Sequence, residues 1–553
     1  MMTPQDKLDG LLYAKMICNG MENLRINEQE VNDLNVFPIP DGDTGANMLM
    51  TMQGGADIAL DCDASLNLCS QAVANAMLMS ARGNSGVILS QFFDGLARGF
   101  RNLDEADAQQ TAQAFRMGVE HAYKAVMQPT EGTILTVAKD ATEYACRQNV
   151  QTPQEFVEEF LDEARRSLER TPDLLPVLKE SGVVDSGGAG LIYIMEGMIR
   201  ALNGEEIVSG LSTRNQTSET VNYDLFTPDS ELEFGYCTEV LVRLQNRKTD
   251  IANFDTEQVT GRLEALGDSV VCVKNDSVLK IHVHTMEPGK VMALCQEFGE
   301  FLKVKVENMS LQHNNIIGKD ESSDEAGEEK EPPVRLATVV VASGRGIQQM
   351  FEELGADYIV DGGQSMNPSS EDFIHAFKCC NAENIIVLPN NSNVILAAQQ
   401  AAKLYHESNV IVIESKTIGQ GHAALSMMNP DLDEMDEIVA EMEDAMSYAI
   451  TACISECVRD LDTTQIHTRS GDYIGFSGKE ILSDAPDRVT AACRMIDSMD
   501  LSEHAVCILL EGIRADSAET QLISDYIQSH VPGMEVYIMI GEQEIYDYIF
   551  VME

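Results

Sequence analysis

Through the first two hundred residues, apolar positions recur at i, i+3, i+4 and i+7, as in GVILSQFFDGLARGFRNL and PQEFVEEFLDEARRSLER, with acidic residues on the outer faces. That period predicts amphipathic helices. Near residue 205 the period shortens to two. FGYCTEVLVRL, DSVVCVKND and SVLKIHVHT alternate apolar and polar positions as half-buried strands do, while QVTGRLEALG and PGKVMALCQEFGE keep helical spacing. A third pattern begins after residue 333: RLATVVVAS, ENIIVLPN and NVIVIES are short unbroken apolar runs, separated by the helical stretches RGIQQMFEELG and NVILAAQQAAKLY. This is the βαβ alternation of a buried parallel sheet. The tail, with HAVCILLEG and PGMEVYIMIGEQEIYDYIFVME, predicts a second α/β lobe.

The patterns divide the chain into an all-α domain over 1–203, an α+β domain over 204–318 and an α/β domain over 334–553. Between the last two lies KDESSDEAGEEKEPP, residues 319–333, acidic, nearly devoid of apolar residues and closed by two prolines, which reads as a solvated linker. A length of 553 residues fits three to four domains at roughly 150 residues each.

Charge narrows the function. Acidic residues number 90 against 38 basic ones, a formal net charge of −52. Such a chain does not track a nucleic-acid backbone or an anionic bilayer by electrostatics, and if it handles ATP, divalent cations must do much of the charge screening. The N-terminus has no basic segment leading into an apolar core, so no signal peptide is expected. No run of 18 or more apolar residues occurs, so no transmembrane segment is expected either. Thirteen cysteines, an odd number with Cys379 and Cys380 adjacent, suit reduced thiols and a cytoplasmic location.

The unusual sequence lies in loops. In Asn35-Val-Phe-Pro-Ile-Pro-Asp41-Gly-Asp43-Thr-Gly45-Ala-Asn47 two prolines stop any helix before Asp41, and the glycines free a tight turn. Asp41 and Asp43, two apart, can aim both carboxylates at one point, which suits Mg²⁺ with its one or two carboxylates plus substrate phosphates; the plainer alternative is an Asp-Gly turn with Asp43 capping the following helix. Gly83-Asn84-Ser85-Gly86 leads into a helix whose first N–H groups can meet an anion, or is an ordinary cap. Glu131-Gly132-Thr133 and Val184-Asp185-Ser-Gly-Gly are again polar loops between helices. Each alone reads as helix punctuation; together they suggest one shared small-molecule site.

In the middle domain His282 and His284 are two apart in a strand and fall on one side, and Cys237 lies in a neighbouring strand-like segment. A thiolate and two imidazoles suit Zn²⁺ with a fourth ligand from protein, water or substrate; a buried cysteine and two strand histidines fit equally well. Glu307 and His313 lie just beyond. In the C-terminal region Ala342-Ser343-Gly344-Arg-Gly346 and Asp361-Gly-Gly-Gln-Ser365-Met-Asn-Pro follow strands. So does Asn390-Asn391-Ser392-Asn393, at a carboxyl end where open α/β sheets bind ligands.

NVFPIPDGDTGANM, followed by ARGNSGVILSQ, EGTILTV and VVDSGGAGL, resembles the ATP-binding domain of dihydroxyacetone kinases, and the order of later domains resembles the ATP-binding subunit of bacterial fatty-acid kinase. The resemblance covers essentially the whole chain. It implies an all-α helical barrel whose loops at one end hold ATP with Mg²⁺. Asp41 and Asp43 would be catalytic metal ligands, with Thr44, Gly45, Asn47, Gly83, Asn84, Ser85, Gly86, Gly132, Thr133 and Asp185 around the nucleotide. The family's third aspartate, five residues before the pair, is Val36 here, and Asn35 beside it offers an amide oxygen instead. GYCTE and IHVHT match the family's metal-binding positions, which makes Cys237, His282 and His284 a zinc set, with His282 as the member placed for catalysis. The C-terminal half looks like the fatty-acid-binding partner's own fold and is assigned to docking that partner. A homodimer is implied as well.

The resulting expectation is a kinase that phosphorylates a fatty acid, delivered on a partner protein, to acyl phosphate and ADP for phospholipid synthesis. The alternatives are a dihydroxyacetone-type small-molecule kinase, for which no histidine to hold a carbonyl substrate is identifiable, and a nucleotide-binding regulator without turnover.

Overall fold

The structure, a computed structural model, describes residues 7–35, 42–60, 62, 64–205, 236–245, 247–249, 251, 254, 256–264, 266–275, 278–308, 332–363, 367–458, 460–462 and 467–553. Asp41, Ser365 and nearly all of the acidic linker fall outside these residues.

The first domain consists of helices α1 (Gly10–Ile26), α2 (Glu28–Asp33), α3 (Thr44–Ala59), α4 (Leu66–Ser80), α5 (Gly83–Gly99), α6 (Ala108–Ala125), α7 (Ile134–Ala145), α8 (Pro153–Leu174), α9 (Pro176–Ser181) and α10 (Ser186–Leu202). One short ribbon, β1 (Leu8–Asp9) with β2 (Glu105–Ala106), ties its start to the middle of the domain. Local chemistry fixes several helix starts. Asp107 and Gln110 form a reciprocal capping box on α6, and Thr152 caps α8, where Pro153 takes the first-turn position that needs no N–H. The amphipathic stripes meet in a core where the Phe115 ring packs edge-on against Phe92, Phe156 and Phe160. Each fully buried phenylalanine contributes about 1.5–3 kcal/mol.

The middle domain contains strands and helices. Strands β3 (Tyr236–Leu244), β4 (Asp268–Asn275), β5 (Val278–Thr285) and β6 (Gly299–Asn308) form an antiparallel sheet in the order β4-β5-β3-β6. Alternate residues Val240, Val242, Ile281 and Val283 are buried in one core with Leu263 of α11 (Thr256–Glu264) and Leu294 of α12 (Pro288–Gln296).

The C-terminal domain has two sheets. The first is parallel, in the order β10-β9-β7-β8, from β7 (Val334–Ala342), β8 (Tyr358–Asp361), β9 (Ala382–Leu388) and β10 (Asn409–Val412). Around it lie α13 (Arg345–Glu353), α14 (Ser370–Cys380), α15 (Ile395–Leu404) and α16 (Ile418–Ser426); α17 (Met435–Tyr448) leads on to the second sheet. That sheet contains β11 (Ile450–Glu456), β14 (Tyr473–Ser477), β15 (Glu480–Ala485), β16 (Val506–Glu511), β17 (Glu535–Ile540) and β18 (Tyr548–Met552), with α18 (Arg488–Ser498) and α19 (Ser517–His530) completing the lobe. A ribbon of β12 (Leu461–Asp462) and β13 (His467–Thr468) stands beside it. In the six-stranded sheet only β16 and β17 pair in parallel, and every other pair is antiparallel. The lobe is therefore an α/β unit whose sheet is mostly antiparallel, with β14–β15 a hairpin and β11 and β16 both paired to the C-terminal strand β18. Val340, Ile386 and Leu388 of the first sheet share a core with Cys453, Ile474 and Ile549 of the second.

The helical and C-terminal domains pack as one compact unit, Met1–Gly210 with Glu331–Glu553, and Leu211–Lys330 forms the other. Ala81 and Val87 of the helical domain belong to the same apolar cluster as Phe373, Ala397 and Ala401. Beside this core the buried Gln400 donates from Nε2 to the Leu78 carbonyl at 2.7 Å, and its Oε1 accepts from Gln91 Nε2 at 2.9 Å.

Candidate functional site

Four helix starts come together at one place. Ser186 Oγ donates to Thr44 Oγ1 at 3.3 Å, which joins the start of α10 to the start of α3. The Asp185 carboxylate accepts the Gly188 N–H at 2.7 Å, capping α10, and is also stabilised by the Ile134 N–H at the start of α7. The α3 and α5 starts are pressed together by glycines. A Cβ on Gly83, whose φ is +58°, would stand 2.5 Å from Asn47 Nδ2, and one on Gly86 would stand 2.4 Å from Thr51 Oγ1. The positive ends of four helix dipoles thus converge, an arrangement that favours an anion.

Two carboxylates border these starts. Asp43 precedes α3, yet its side chain makes no capping hydrogen bond to that helix, so the plain Asp-cap alternative does not describe it. Its Oδ2 instead accepts a hydrogen bond from Asn367 Nδ2 of the C-terminal domain. Burial pushes the Asp43 carboxyl up to about 6, against the lowering effect of Asn47 and Asn367. Asp185 is likewise raised by burial to about 6, with the Gly188 and Ile134 amides acting in the opposite direction. A partly desolvated carboxylate that does not serve its own helix has acceptor capacity left for a hard cation.

The remaining sequence-derived residues distribute as follows. Gly45 N donates to Asn32 Oδ1 at 2.7 Å, and a Cβ there would meet the Glu28 carbonyl at 2.5 Å, so glycine is required for α2 to approach α3. Asn47 is buried in the first turn of α3. Gly132, with φ +82°, donates its N–H to Thr136 Oγ1, while Thr133 precedes α7 and its Oγ1 donates to the Thr130 carbonyl. Ser85 is half-buried in the first turn of α5. Asn84 turns to the C-terminal domain, where its Nδ2 donates to the Ser392 carbonyl at 3.3 Å. Asn35 is half-buried and lines a cavity of about 670 Å³ with Leu34, Asp185 and Ser186, and the opposite wall comes from the C-terminal domain.

Asn367 and Arg82 are the additions. Asn367 is fully buried, touches Asp43 through its side chain, and its carbonyl accepts from Arg82 Nη1 at 2.7 Å. Arg82 also lies 3.5 Å from Asp372. Asn367 belongs to the Gly-Gly-Gln-Ser-Met-Asn string that stands out in the sequence, but 324 positions separate it from Asp43 and no local pattern connects them.

In the middle domain the ladder sets Cys237 opposite His284, and Glu239 opposite His282. On the other edge of β3, Cys237 pairs with Glu307. The side chains of Cys237, His282, His284 and Glu307, and all of His313, lie outside the described residues. Among the described residues no group of three or more His, Cys, Asp and Glu side chains is arranged to hold a metal, and no helix is long and apolar enough to cross a membrane.

Three family models match in order along the chain: the DAK2 domain at residues 38–200, the FakA-like middle domain of fatty acid kinase at 233–316, and the FakA-like C-terminal domain of fatty acid kinase at 337–553. Protein YloV of Bacillus subtilis (strain 168) is 38% identical, covering 98% of this chain and 98% of its own. Uncharacterized protein SAR1202 of Staphylococcus aureus (strain MRSA252) is 36% identical over 99% of this chain and 100% of its own. Among solved structures, the Streptococcus pneumoniae Fatty Acid Kinase (Fak) B3 protein loaded with linoleic acid is 12% identical, with a TM-score of 0.28, over 39% of this chain and 99% of its own. A likeness that loose carries no argument about this chain.

Proposed function

Since the chain belongs to the FakA-like family of fatty acid kinase proteins, we propose that it transfers the γ-phosphoryl group of ATP to the carboxylate of a fatty acid presented by a separate lipid-carrying protein. The products are acyl phosphate and ADP. The observation that carries this reading is the convergence of the α3, α5, α7 and α10 starts beside Asp43 and Asp185. Phosphoryl transfer needs positioning and charge neutralisation more than covalent chemistry from the protein. The positive ends of the helix dipoles favour phosphate oxygens there. Asp185 fixes the start of α10 and Asn32 that of α3, so these helix starts are set before the nucleotide arrives. The acceptor carboxylate is already ionised near neutral pH, so no general base is required.

Asp43, with Asp41 and the amide oxygen of Asn35, would hold Mg²⁺. The Asp43 carboxylate, free of its own helix, fits such a role. When bound, the ion supplies neutralisation of the phosphate charge, which a chain of net charge −52 otherwise lacks. Cys237, His282 and His284 would hold zinc. The β3–β5 register that sets Cys237 opposite His284, with His282 two positions further along β5, supports that reading. His282 is the zinc ligand to which a part in catalysis is assigned, and a homodimer is the assembly proposed.

The test is incubation of purified protein with ATP, Mg²⁺ and a fatty acid, with and without a lipid-loaded partner, trapping acyl phosphate with hydroxylamine. Acyl hydroxamate formed only with the loaded partner supports the proposal. Labelled triose phosphate from dihydroxyacetone would favour a small-molecule kinase, and nucleotide binding with no turnover would favour a regulator. Metal analysis should find about one zinc per chain, lost in His284→Ala.

A further inference from the structure

Three cysteines of the helical domain stand together, away from the helix starts described above. α3 runs from Thr44 to Ala59, and α4 runs back from Leu66 to Ser80, where Arg82 N–H meets Thr51 Oγ1. The open end of this helical hairpin meets the start of α5, where Gly83 abuts Asn47. Its closed end carries Cys62 in the connection and Cys69 near the start of α4. Cys62 Sγ lies 3.6 Å from the Ile58 carbonyl and 3.9 Å from the Cys69 carbonyl, and the two thiols are hydrogen-bond neighbours. Cys18 of α1 is the third member. Its Sγ donates to the Ala56 carbonyl at 3.9 Å, and it is close enough to act electrostatically on both of the others.

Access divides the pair. Cys69 is 1% exposed, whereas Cys62 is half-buried in the connection, beside the exposed Leu60. Burial pushes the Cys69 thiol up, and the Cys62 sulfur adds to that rise; burial likewise raises Cys18. Neither of these two is held as a thiolate, so the reduced pair lacks the thiolate stabilisation that makes a disulfide strongly oxidising. The Tyr13 hydroxyl is the independent sign of chemistry here. It is 1% exposed, has no hydrogen-bond partner among the described residues, and lies within electrostatic reach of Cys69 and Cys62. A buried donor beside two thiols is served better by the oxygen of a sulfenic acid than by a thiol sulfur, which accepts only weakly.

We infer that Cys62 and Cys69 form a peroxide-responsive dithiol, with Cys62 attacked first and Cys69 resolving it to a disulfide. The Cys62 thiolate attacks one oxygen of the peroxide, which leaves Cys62 sulfenic acid and hydroxide. That hydroxide takes the Cys69 proton as water. The Cys69 sulfur then attacks Cys62 Sγ and expels a second hydroxide, which recovers the proton first lost by Cys62. Two thiols and one peroxide thus become one disulfide and two waters, each sulfur giving up one electron. A dithiol reductant reverses the bond by exchange. The bridge ties the end of α3 to the start of α4 and restricts the unfolded chain, so the oxidised protein resists unfolding. None of this depends on the phosphoryl-transfer reading.

The test treats reduced full-length protein with hydrogen peroxide, removes the excess with catalase, and alkylates at once with iodoacetamide in guanidinium. A protease that cuts before aspartate separates Cys62 from Cys69 at Asp63, so a bridge is read by mass as two joined peptides. Alkylation of both cysteines should fall roughly tenfold against untreated protein, with the joined peptides in its place and dithiothreitol reversing the change. Cys62→Ser should abolish the bridge and Cys18→Ser should leave it. The melting temperature should rise on oxidation of wild type but not of Cys62→Ser. Should a variant fail to fold, the wild-type peptide map alone decides the pairing. Full alkylation of both residues after peroxide, a bridge from Cys62 to Cys18, or sulfinic acid at Cys62 as the main product would each overturn the inference. An oxidised wild type that melts no higher than the reduced protein would overturn the bracing of the hairpin.

Discussion

Replacing Asn367 with alanine tests whether the C-terminal domain sets the chemistry of the Asp43 carboxylate. Asn367 is fully buried and donates from Nδ2 to Asp43 Oδ2. Burial already raises that carboxyl to about 6, and the Asn367 hydrogen bond is one of the interactions that keep it from rising further. A hydrogen bond to an ionised group is worth about 1.5–3 kcal/mol, which corresponds to roughly one to two pKa units. Without Nδ2, Asp43 should titrate at about 7–8. The ionised fraction at neutral pH then falls from roughly nine tenths to between about one half and one tenth. Because protons compete with Mg²⁺ for the same oxygens, Mg²⁺·nucleotide affinity in wild type should be lost as pH falls through about 6. In the variant that loss should begin about one to two pH units higher. Calorimetric titration of full-length protein from pH 5.5 to 8.5 measures both midpoints, with melting curves confirming that the variant is folded. Superimposable pH profiles would refute the coupling, whatever the absolute affinities.

Other outcomes follow from the same geometry. Asp185→Ala removes the α10 cap as well as a site carboxylate, so it should cost about 0.5–2 kcal/mol in a denaturation midpoint and abolish nucleotide binding; the neighbouring Ser186→Ala should do neither to the same degree. Limited proteolysis in the acidic segment 319–333 should leave the two fragments co-eluting on size exclusion, since Ala81, Val87, Phe373 and Ala397 share one core; separate elution of a C-terminal half would contradict that packing. Asp547 is fully buried, 3.1 Å from Arg488 Nε and 3.4 Å from Arg514 Nε. Asp547→Ala should therefore destabilise by about 3–5 kcal/mol, read by urea denaturation, and an unchanged midpoint would show the cluster to be energetically idle.

Much of this architecture is legible because local periodicity determines it. The stripe in PQEFVEEFLDEARRSLER becomes α8, and the apolar runs RLATVVVAS and ENIIVLPN become the adjacent parallel strands β7 and β9. The loops at Asp43, Gly83, Thr133 and Asp185 are visible as polar, glycine-containing interruptions, and helix starts are where such residues collect. What periodicity cannot reveal is which distant surfaces meet. Apolar residues such as Ala81 and Val87 look the same in sequence whether they face their own domain or another. The hairpin β14–β15 turns at Gly478 in Ser-Gly-Lys, too brief a signal to separate antiparallel from parallel pairing. Asn367 stands within a Gly-rich string, but nothing local assigns its amide to a carboxylate in the first domain.

The pairing of Asp43 with Asn367 also bears on the order in which this protein becomes complete during synthesis. Domains generally fold as they emerge, at about 5–20 residues per second. The helical domain can thus close its own core early, while the residue that contacts Asp43, 324 positions downstream, has not yet been made. Counted from the end of α10 at Leu202, that interval is roughly 8–33 s at those rates. During it a nascent helical domain presents its helix starts without the opposing wall, and any nucleotide it takes up sits in a half-built site. Competence for the full reaction is thereby tied to chain completion, with no inhibitor segment required.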